Sequence, residues 1–399
     1  MSGLFENKVI ILGVSGSIAA YKIASLASRL IKDGAEVHVI MTENATNFIH
    51  PFTFETLTHQ KCLVDTFDRN FEYKVEHVSL GQAADVMLIA PATANVIAKL
   101  AHGIADDMLS TTALSCTAPI LVSPAMNTRM YEKPITQENI KKLRELGMTV
   151  IDPAEGYLAC GDIGAGKMPE PEDLYEEICM SIGHERMLAK KKVVVTAGPT
   201  REALDPVRFI TNYSTGRMGY ALARAAAICG AESVLISGPV DIKKPAHVRT
   251  VDVVSAQDMY DAAETEFSDA DIVIGAAAVA DYRPKDVADQ KIKKSDSDMS
   301  VALERTTDIL GTLAKKKSGQ FICGFSMETE NVIDNSRDKL NRKAFDMIVA
   351  NDLRTPGAGF GVDTNVVTII TSDGEKSLPI MTKDEVAFLI LEEISLAVG

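Results

Sequence analysis

Three groups of residues carry the chemistry open to this 399-residue chain. The first is Gly13-Val-Ser15-Gly16-Ser17, a glycine turn between a β-branched run and a helical pattern. Backbone N–H groups at such a turn, the helix N-terminus behind it and serine hydroxyls together cradle a phosphate. The turn lacks a full G-x-G-x-x-G. The next strand ends at Thr42 with Glu43 beyond it, so no acid is placed for a dinucleotide ribose and a mononucleotide fits better than NAD. The second group is Ala197-Gly-Pro-Thr-Arg-Glu with Asn212-Tyr-Ser-Thr-Gly-Arg-Met-Gly219, again a glycine turn and a polar helix start. The third is Asp281, closing Ala276-Ala-Ala-Val-Ala-Asp, followed by Lys291, Lys293 and Lys294, and then Lys339 and Lys343 four residues apart. An acid at a strand tip near lysines suits a divalent cation bridging phosphate oxygens. Lysines at i and i+4 share a helix face and point at a common anion. Taken singly, each has a plainer reading: Asn212 caps a helix, Asp281 holds a turn, and the lysines are solvated. There is no Walker A motif, which argues against a P-loop enzyme.

Lone histidines and cysteines are more often structural, and His77 lies beside an apolar run. The six cysteines form no C-x-x-C pair and no metal spacing, so each reads by default as a small buried residue. Cys160 departs from that default. It sits in the glycine-rich stretch 157–171, too irregular for a core strand, which reads as a mobile flap over a substrate. Met126 and Met130 have helical spacing and fit a core equally well.

The elements that must position these groups alternate between strand and helix, which predicts an α/β fold with largely parallel sheets. Residues 9–12 form a strand, and 18–32 form a helix with Ala19, Ile23, Leu26, Ala27 and Leu30 on one face. Asp33-Gly34 ends that helix and 36–41 is the next strand. The pattern restarts at Lys190 with a β-branched run and a glycine turn, then a segment 201–215, a helix from about Gly216 and a strand over 230–236. Ala84-Asp-Val-Met-Leu-Ile-Ala and Ala270-Asp-Ile-Val-Ile-Gly-Ala echo each other as buried strands with small residues at their tips, where a ligand approaches the backbone. Two domains are expected, 1–189 and 190–399, divided in the charged stretch after a helix that begins near Glu172.

Composition narrows the class. A formal charge of −14 opposes general nucleic-acid binding, and the local basic clusters fit either a nucleotide triphosphate or a solvated surface. No apolar run approaches the roughly 20 residues of a membrane span. The first residues lack a signal-peptide pattern, so a cytoplasmic location is expected.

In order along the first half stand Gly13-Val-Ser-Gly-Ser-Ile-Ala-Ala-Tyr-Lys, His77-Val-Ser-Leu, Pro91-Ala-Thr-Ala-Asn95, Ala105-Asp-Asp-Met-Leu-Ser-Thr-Thr, Pro124-Ala-Met-Asn-Thr-Arg-Met130 and Ala159-Cys-Gly-Asp. This series resembles the flavin-containing cysteine decarboxylases. The resemblance implies a flavodoxin-like domain with FMN lined by Ser15, Gly16, Ser17, Thr42, Thr93, Ala94, Asn95 and Ala125. It implies His77 as base, Asn127 as the binder of the substrate carboxylate and Cys160 as proton donor. The implied chemistry suits these types. Loss of CO2 from a cysteine carboxyl leaves electrons on Cα with no adjacent sink, and oxidation of the thiol carbon to a thioaldehyde supplies one. Histidine takes the thiol proton near neutral pH. Asn127 donates to the carboxylate without holding the anion as a lysine would.

The second and third groups, in their order along the second half, resemble phosphopantothenate–cysteine ligases, a Rossmann-like domain. With the first half, nearly the whole chain resembles the bifunctional family of coenzyme A biosynthesis. That implies CTP and Mg2+, an acyl-cytidylate attacked by cysteine, and 4′-phosphopantothenate as co-substrate. It implies Asn212 and Lys291 as catalytic, with Gly275, Ala276, Ala277, Asp281, Lys291, Thr307, Asp308, Ile309, Phe325, Lys339 and Lys343 around CTP and Asp281 at the metal. It also implies a homo-oligomer, a dodecamer of decarboxylase trimers and ligase dimers. Thr215 stands for the family's serine and Arg217 for its lysine, and the proline usual before Asp308 is missing. A non-catalytic flavoprotein and a two-Rossmann dehydrogenase are the competing readings. His77, Asn127 and Cys160 together oppose the first, and the absent dinucleotide fingerprint opposes the second.

Overall fold

The computed structural model of the chain describes residues 4–67, 76–157, 163–183, 186–293, 299–328, 331–352, 359 and 361–399. They form two compact units, Met1–Gly183 and His184–Gly399. Among the described residues no helix is long and apolar enough to cross a membrane.

A parallel sheet covered on both faces needs strands that are apolar throughout, and Val86–Ala92 is buried at all seven positions. In the first unit the strands run in the order Glu36–Met41, Val9–Val14, Val86–Ala92, Ile120–Pro124, Thr149–Val150, all parallel. This is the flavodoxin-like 2-1-3-4-5 arrangement, with its switch point between the first and third strands. The expected helix begins as a 3-10 turn, Ile18–Ala20, and becomes α-helical over Tyr21–Lys32. Ile23, Leu26, Ala27 and Leu30 are fully buried as their spacing predicts. A leucine or isoleucine so enclosed contributes roughly 1.5–3 kcal/mol. Ala19 is the exception: the tighter 3-10 turn rotates the face by a residue, so Ala20 is buried and Ala19 only half so. The glycine-rich stretch is not loop throughout. Ala154–Tyr157 pairs antiparallel with Ile163–Lys167 as a hairpin outside the main sheet.

The second unit has eight strands in the order Arg249–Asp252, Glu232–Ser237, Lys192–Ala197, Ile272–Gly275, Phe321–Glu328, Met347–Asp352, Val367–Thr371, Glu375–Ser377. The first six are parallel and repeat the Rossmann order 3-2-1-4-5-6, and the last two are antiparallel additions. The segment inserted after the first of these strands is an antiparallel hairpin, Arg201–Ala203 with Phe209–Thr211.

The Ala-Asp echo has a physical cause. An Oδ2 atom of Asp85 accepts the Val9 N–H at 2.8 Å, and Oδ2 of Asp271 accepts the Lys192 N–H at 2.7 Å. Asp346 does the same for Ile322 at 2.8 Å. Asp85 and Asp271 each dock the first donor of the neighbouring strand and Asp346 docks the second, which sets the register of the pairing.

The helix Arg217–Ile228 lies close on its strand because position 219 has no side chain: a Cβ there would meet the Ala197 Cβ at 2.5 Å and the Thr196 carbonyl at 3.2 Å. Neither neighbour has a flexible end to swing away. Gly219→Ala is expected to destabilise the second unit by about 1–3 kcal/mol. Thermal unfolding should show its transition lowered by about 2–4 °C per kcal/mol, and an unchanged midpoint would refute the close packing.

Candidate active sites

The first site is built on the loops that leave the sheet at its switch point. Ser15 Oγ donates to the Pro91 carbonyl at 2.6 Å and accepts the Thr93 N–H at 3.0 Å. The hydroxyl, 1% exposed, therefore clasps the two loops together and has no proton left for a phosphate. Thr93 in turn caps the helix Ala94–His102 through the Val96 N–H at 3.4 Å. Ala94 and Asn95 form its first turn, Asn95 exposed. Gly16 permits the third approach: a Cβ there would lie 2.7 Å from the Asn44 Cβ. The loop after Thr42 thus nests against the glycine turn. Thr42 Oγ1 and Ser123 Oγ are buried with no hydrogen-bond partner among the described residues. Two orphaned hydroxyls near strand ends are what a bound polar ligand would satisfy.

Beside these loops lies a cavity of about 490 Å³, lined by Ser17, Ala125 and Asn127 and by Tyr157, Gly166 and Lys167 of the hairpin. Ser17 Oγ caps the Ala19 N–H at 3.3 Å. Asn127 Oδ1 accepts the Arg129 N–H at 2.8 Å, which fixes the amide on the cavity wall. Gly166, at φ +123°, takes a conformation other residues rarely adopt, and its carbonyl accepts the Met126 N–H at 3.0 Å. The hairpin is thereby pinned to the loop bearing Asn127. Met126 packs against the core as the plainer reading allowed, whereas Met130 is 49% exposed.

His77 is not brought to this cavity. It lies half-buried on the helix Glu76–Ala83, and its carbonyl accepts the Ser115 hydroxyl at 2.8 Å. Cys160 lies outside the described residues. The sequence reading missed an ionic bridge on the cavity wall: Lys22 meets Glu170 at 2.8 Å and Lys167 meets it at 3.3 Å. The Lys22 ammonium holds the Glu170 carboxyl below the usual range. Lys22 closes the first motif, and its place in the first helical turn, directly behind the phosphate cradle, was the available signal.

The second site occupies the corresponding edge of the second unit. Its strand Ile272–Gly275 runs into Ala276–Ala278, with Ala276 N–H on the Thr196 carbonyl at 3.1 Å and Ala278 N–H on that of Gly198 at 2.9 Å. A cavity of about 690 Å³ opens there, lined by Gly275, Ala277, Asp281, Thr307, Asp308, Ile309, Phe325, Lys339 and Lys343. Ala276 lies in a smaller neighbouring cavity with Ser214, Thr215, Arg217, Asn365 and Lys383. The helix Val332–Lys343 presents both lysines to the larger cavity: Lys339 Nζ donates to the Phe325 carbonyl at 3.0 Å, and Lys343 Nζ meets Asp308 at 2.7 Å. Asp308 also caps the helix Ile309–Lys315 through the Gly311 N–H at 3.2 Å. Two residues before Asp308, Thr306 Oγ1 donates to the Ala280 carbonyl at 2.5 Å and holds that loop. Asn212 caps no helix; its Nδ2 donates to the Ala278 carbonyl at 2.9 Å, at the strand tip. Lys291 is exposed and lines neither cavity. Among the described residues no group of three or more His, Cys, Asp or Glu could hold a metal, and Asp281 stands on the cavity wall without such a group.

Burial pushes the Asp308 carboxyl up, but Lys343 and the Gly311 N–H outweigh it and leave it below the usual range. The pair's stabilisation is therefore complete above the unfolded aspartate value of about 3.9 and is lost as pH falls through the lower folded value. Asp308→Asn is expected to melt below the parent at pH 7, with the gap closing towards pH 3. A gap independent of pH would show that only the helix cap matters.

Comparison with known proteins agrees with this two-part plan. The model of the DNA/pantothenate metabolism flavoprotein C-terminal domain family matches residues 188–397, and that of the Flavoprotein family matches 2–183. The chain is 49% identical over 396 residues to the coenzyme A biosynthesis bifunctional protein CoaBC of Bacillus subtilis (strain 168), covering 98% of each chain. It is 45% identical over 396 residues to the protein of that name from Vibrio vulnificus (strain CMCP6), again covering 98% of each. The crystal structure of the C-terminal domain of a CoaBC protein is 45% identical, with a TM-score of 0.47, over 53% of this chain and 98% of that one. The chain belongs to the family of coenzyme A biosynthesis bifunctional proteins, a family of enzymes.

Proposed function

We propose that residues 190–399 join 4′-phosphopantothenate to cysteine at the expense of CTP, and that residues 1–189 decarboxylate the product with FMN to give 4′-phosphopantetheine and CO2. The observation that carries this reading is the pair of built cavities, one at each switch-point edge, with polar groups matched to different ligands. Family membership supplies the substrate class.

In the first unit the orphaned hydroxyls of Thr42 and Ser123 and the glycine-permitted approach at Gly16 fit FMN. Backbone N–H groups around Gly16, with Ser17, Thr42, Thr93, Ala94, Asn95 and Ala125, would hold it. Ser15 frames that site through its clasp. Bound flavin supplies a reversible two-electron oxidant for the thiol carbon. Asn127 binds and orients the substrate carboxylate, His77 takes the thiol proton, and Cys160 returns a proton at the end. His77 stands away from the cavity of Asn127 within one chain, which accords with a homo-oligomer: trimers of this unit, joined through ligase dimers into a dodecamer.

In the second unit Lys339 and Lys343 would exchange their present acceptors for the triphosphate, and Asp281 would hold Mg2+, which would supply charge neutralisation to the phosphates. The activated acyl group would lie by the strand tip, where Asn212 is pinned and Lys291 meets the developing charge. Magnesium held by one carboxylate and substrate phosphates needs no larger acidic cluster. A cytoplasmic location accords with this chemistry on soluble substrates.

Incubation with 4′-phosphopantothenate, cysteine, magnesium and each nucleotide in turn, read by product mass, should give the amide with CTP and then loss of CO2. No amide with any nucleotide, or a colourless protein that binds NADH, would overturn the reading. Cys160→Ser is expected to decarboxylate yet accumulate an oxidised enethiol. Asn212→Asp should impair amide formation while leaving decarboxylation intact.

A further inference from the structure

We infer that Asp205 is the positioning residue for Lys291, holding the ligase loop that the hairpin carries; the inference rests on the ligase reading above. Asp205 lies in the turn between Arg201–Ala203 and Phe209–Thr211, yet its side chain is fully enclosed, at 0% exposed. One carboxylate oxygen accepts the Val207 and Arg208 N–H groups, both at 2.8 Å, and fixes the turn. The other accepts Arg208 Nε at 3.0 Å and Nη2 at 2.6 Å, together with the N–H of Ile292 at 3.1 Å. Arg208 Nη2 also donates to the Ile292 carbonyl at 2.9 Å. The residue after Lys291 is thus gripped at both backbone polar groups by one ion pair. The Ala288 N–H, on the Leu204 carbonyl at 3.1 Å, extends the seam. The Arg208 guanidinium keeps the Asp205 carboxyl below the usual carboxylate range, so the grip persists at working pH.

The same hairpin continues through Phe209–Thr211 into Asn212, which is fixed on the Ala278 carbonyl at 2.9 Å. Thr211 Oγ1 bonds the Thr200 carbonyl at 2.8 Å, and Thr200 Oγ1 accepts the Ala280 N–H at 3.0 Å. One small element therefore ties Asn212 to the strand tip and Lys291 to the turn. Lys291 is otherwise on an exposed stretch. Displacement of a reacting group by about 1 Å costs on the order of a hundredfold in rate.

The test uses the full chain. Asp205→Asn keeps one oxygen for the turn, but its amide nitrogen can accept from neither Arg208 nor Ile292. The expected result is a fall in amide-forming kcat of about ten- to a hundredfold with the nucleotide KM within about twofold. Trypsin should cut faster after Lys291 and Lys293, and Asp205→Asn should add little in a Lys291→Gln background. Should Asp205→Asn fail to fold, Ile292→Pro deletes the gripped N–H, leaves the ion pair, and should give the same loss. If Lys291→Gln abolishes amide formation while Asp205→Asn and Ile292→Pro turn over normally, the positioning role is overturned and the ligase reading stands. If Lys291→Gln is itself fully active, the reading of Lys291 and this inference fall together. A kcat loss matched by an equal rise in KM, with unchanged trypsin cleavage, would also overturn it.

Discussion

Where the strand order of a parallel sheet reverses, the two adjoining loops leave in opposite directions and expose backbone groups that no further strand satisfies. Both units depend on that gap. In the first it lies between Val9–Val14 and Val86–Ala92, where Ser15 spans it to Pro91 and Thr93. In the second it lies between Lys192–Ala197 and Ile272–Gly275, where Pro199 forms a bridge with Ala278. The cavities open at these edges because small residues there keep side chains out of the way.

The two cavities handle charge differently. In the first, Glu170 already neutralises part of the charge of Lys22 and Lys167, leaving a wall suited to a ligand of mixed polarity. In the second, Lys339 holds a carbonyl while Lys343 holds a carboxylate. Both contacts are weaker partners than a polyphosphate, so a phosphate ligand can displace them without leaving a buried acceptor stranded. A chain with a net charge of −14 thereby keeps two cationic side chains at this cavity by local arrangement.

The Ala-Asp strand starts show the same economy. A carboxylate at the head of one strand satisfies a donor at the start of its neighbour, as Asp85, Asp271 and Asp346 all do. Because a one-residue slip would turn each side chain to the opposite face, these bonds protect the alignment of the strand tips on which both sites are built.

The sequence alone determined what is local. Strand, turn and helix follow from β-branched runs, glycine turns and 3.6-residue spacing, and the two-fold repetition of that order specified two largely parallel α/β sheets. It also marked Gly13 to Ser17, Asn212 to Gly219, Asp281 and the paired lysines, because phosphate cradles and helix faces are defined by neighbours in the chain. The tertiary structure alone decided which of these meet. It spent the Ser15 hydroxyl on a clasp, pinned Asn212 to a strand tip and set Lys343 on Asp308. It left His77 away from the cavity of Asn127 and gripped the residue after Lys291 through Asp205. Those pairings join residues up to 87 positions apart, as Asp205 and Ile292 are, and no local periodicity encodes them. They arise when sheet order and loop packing close the distance.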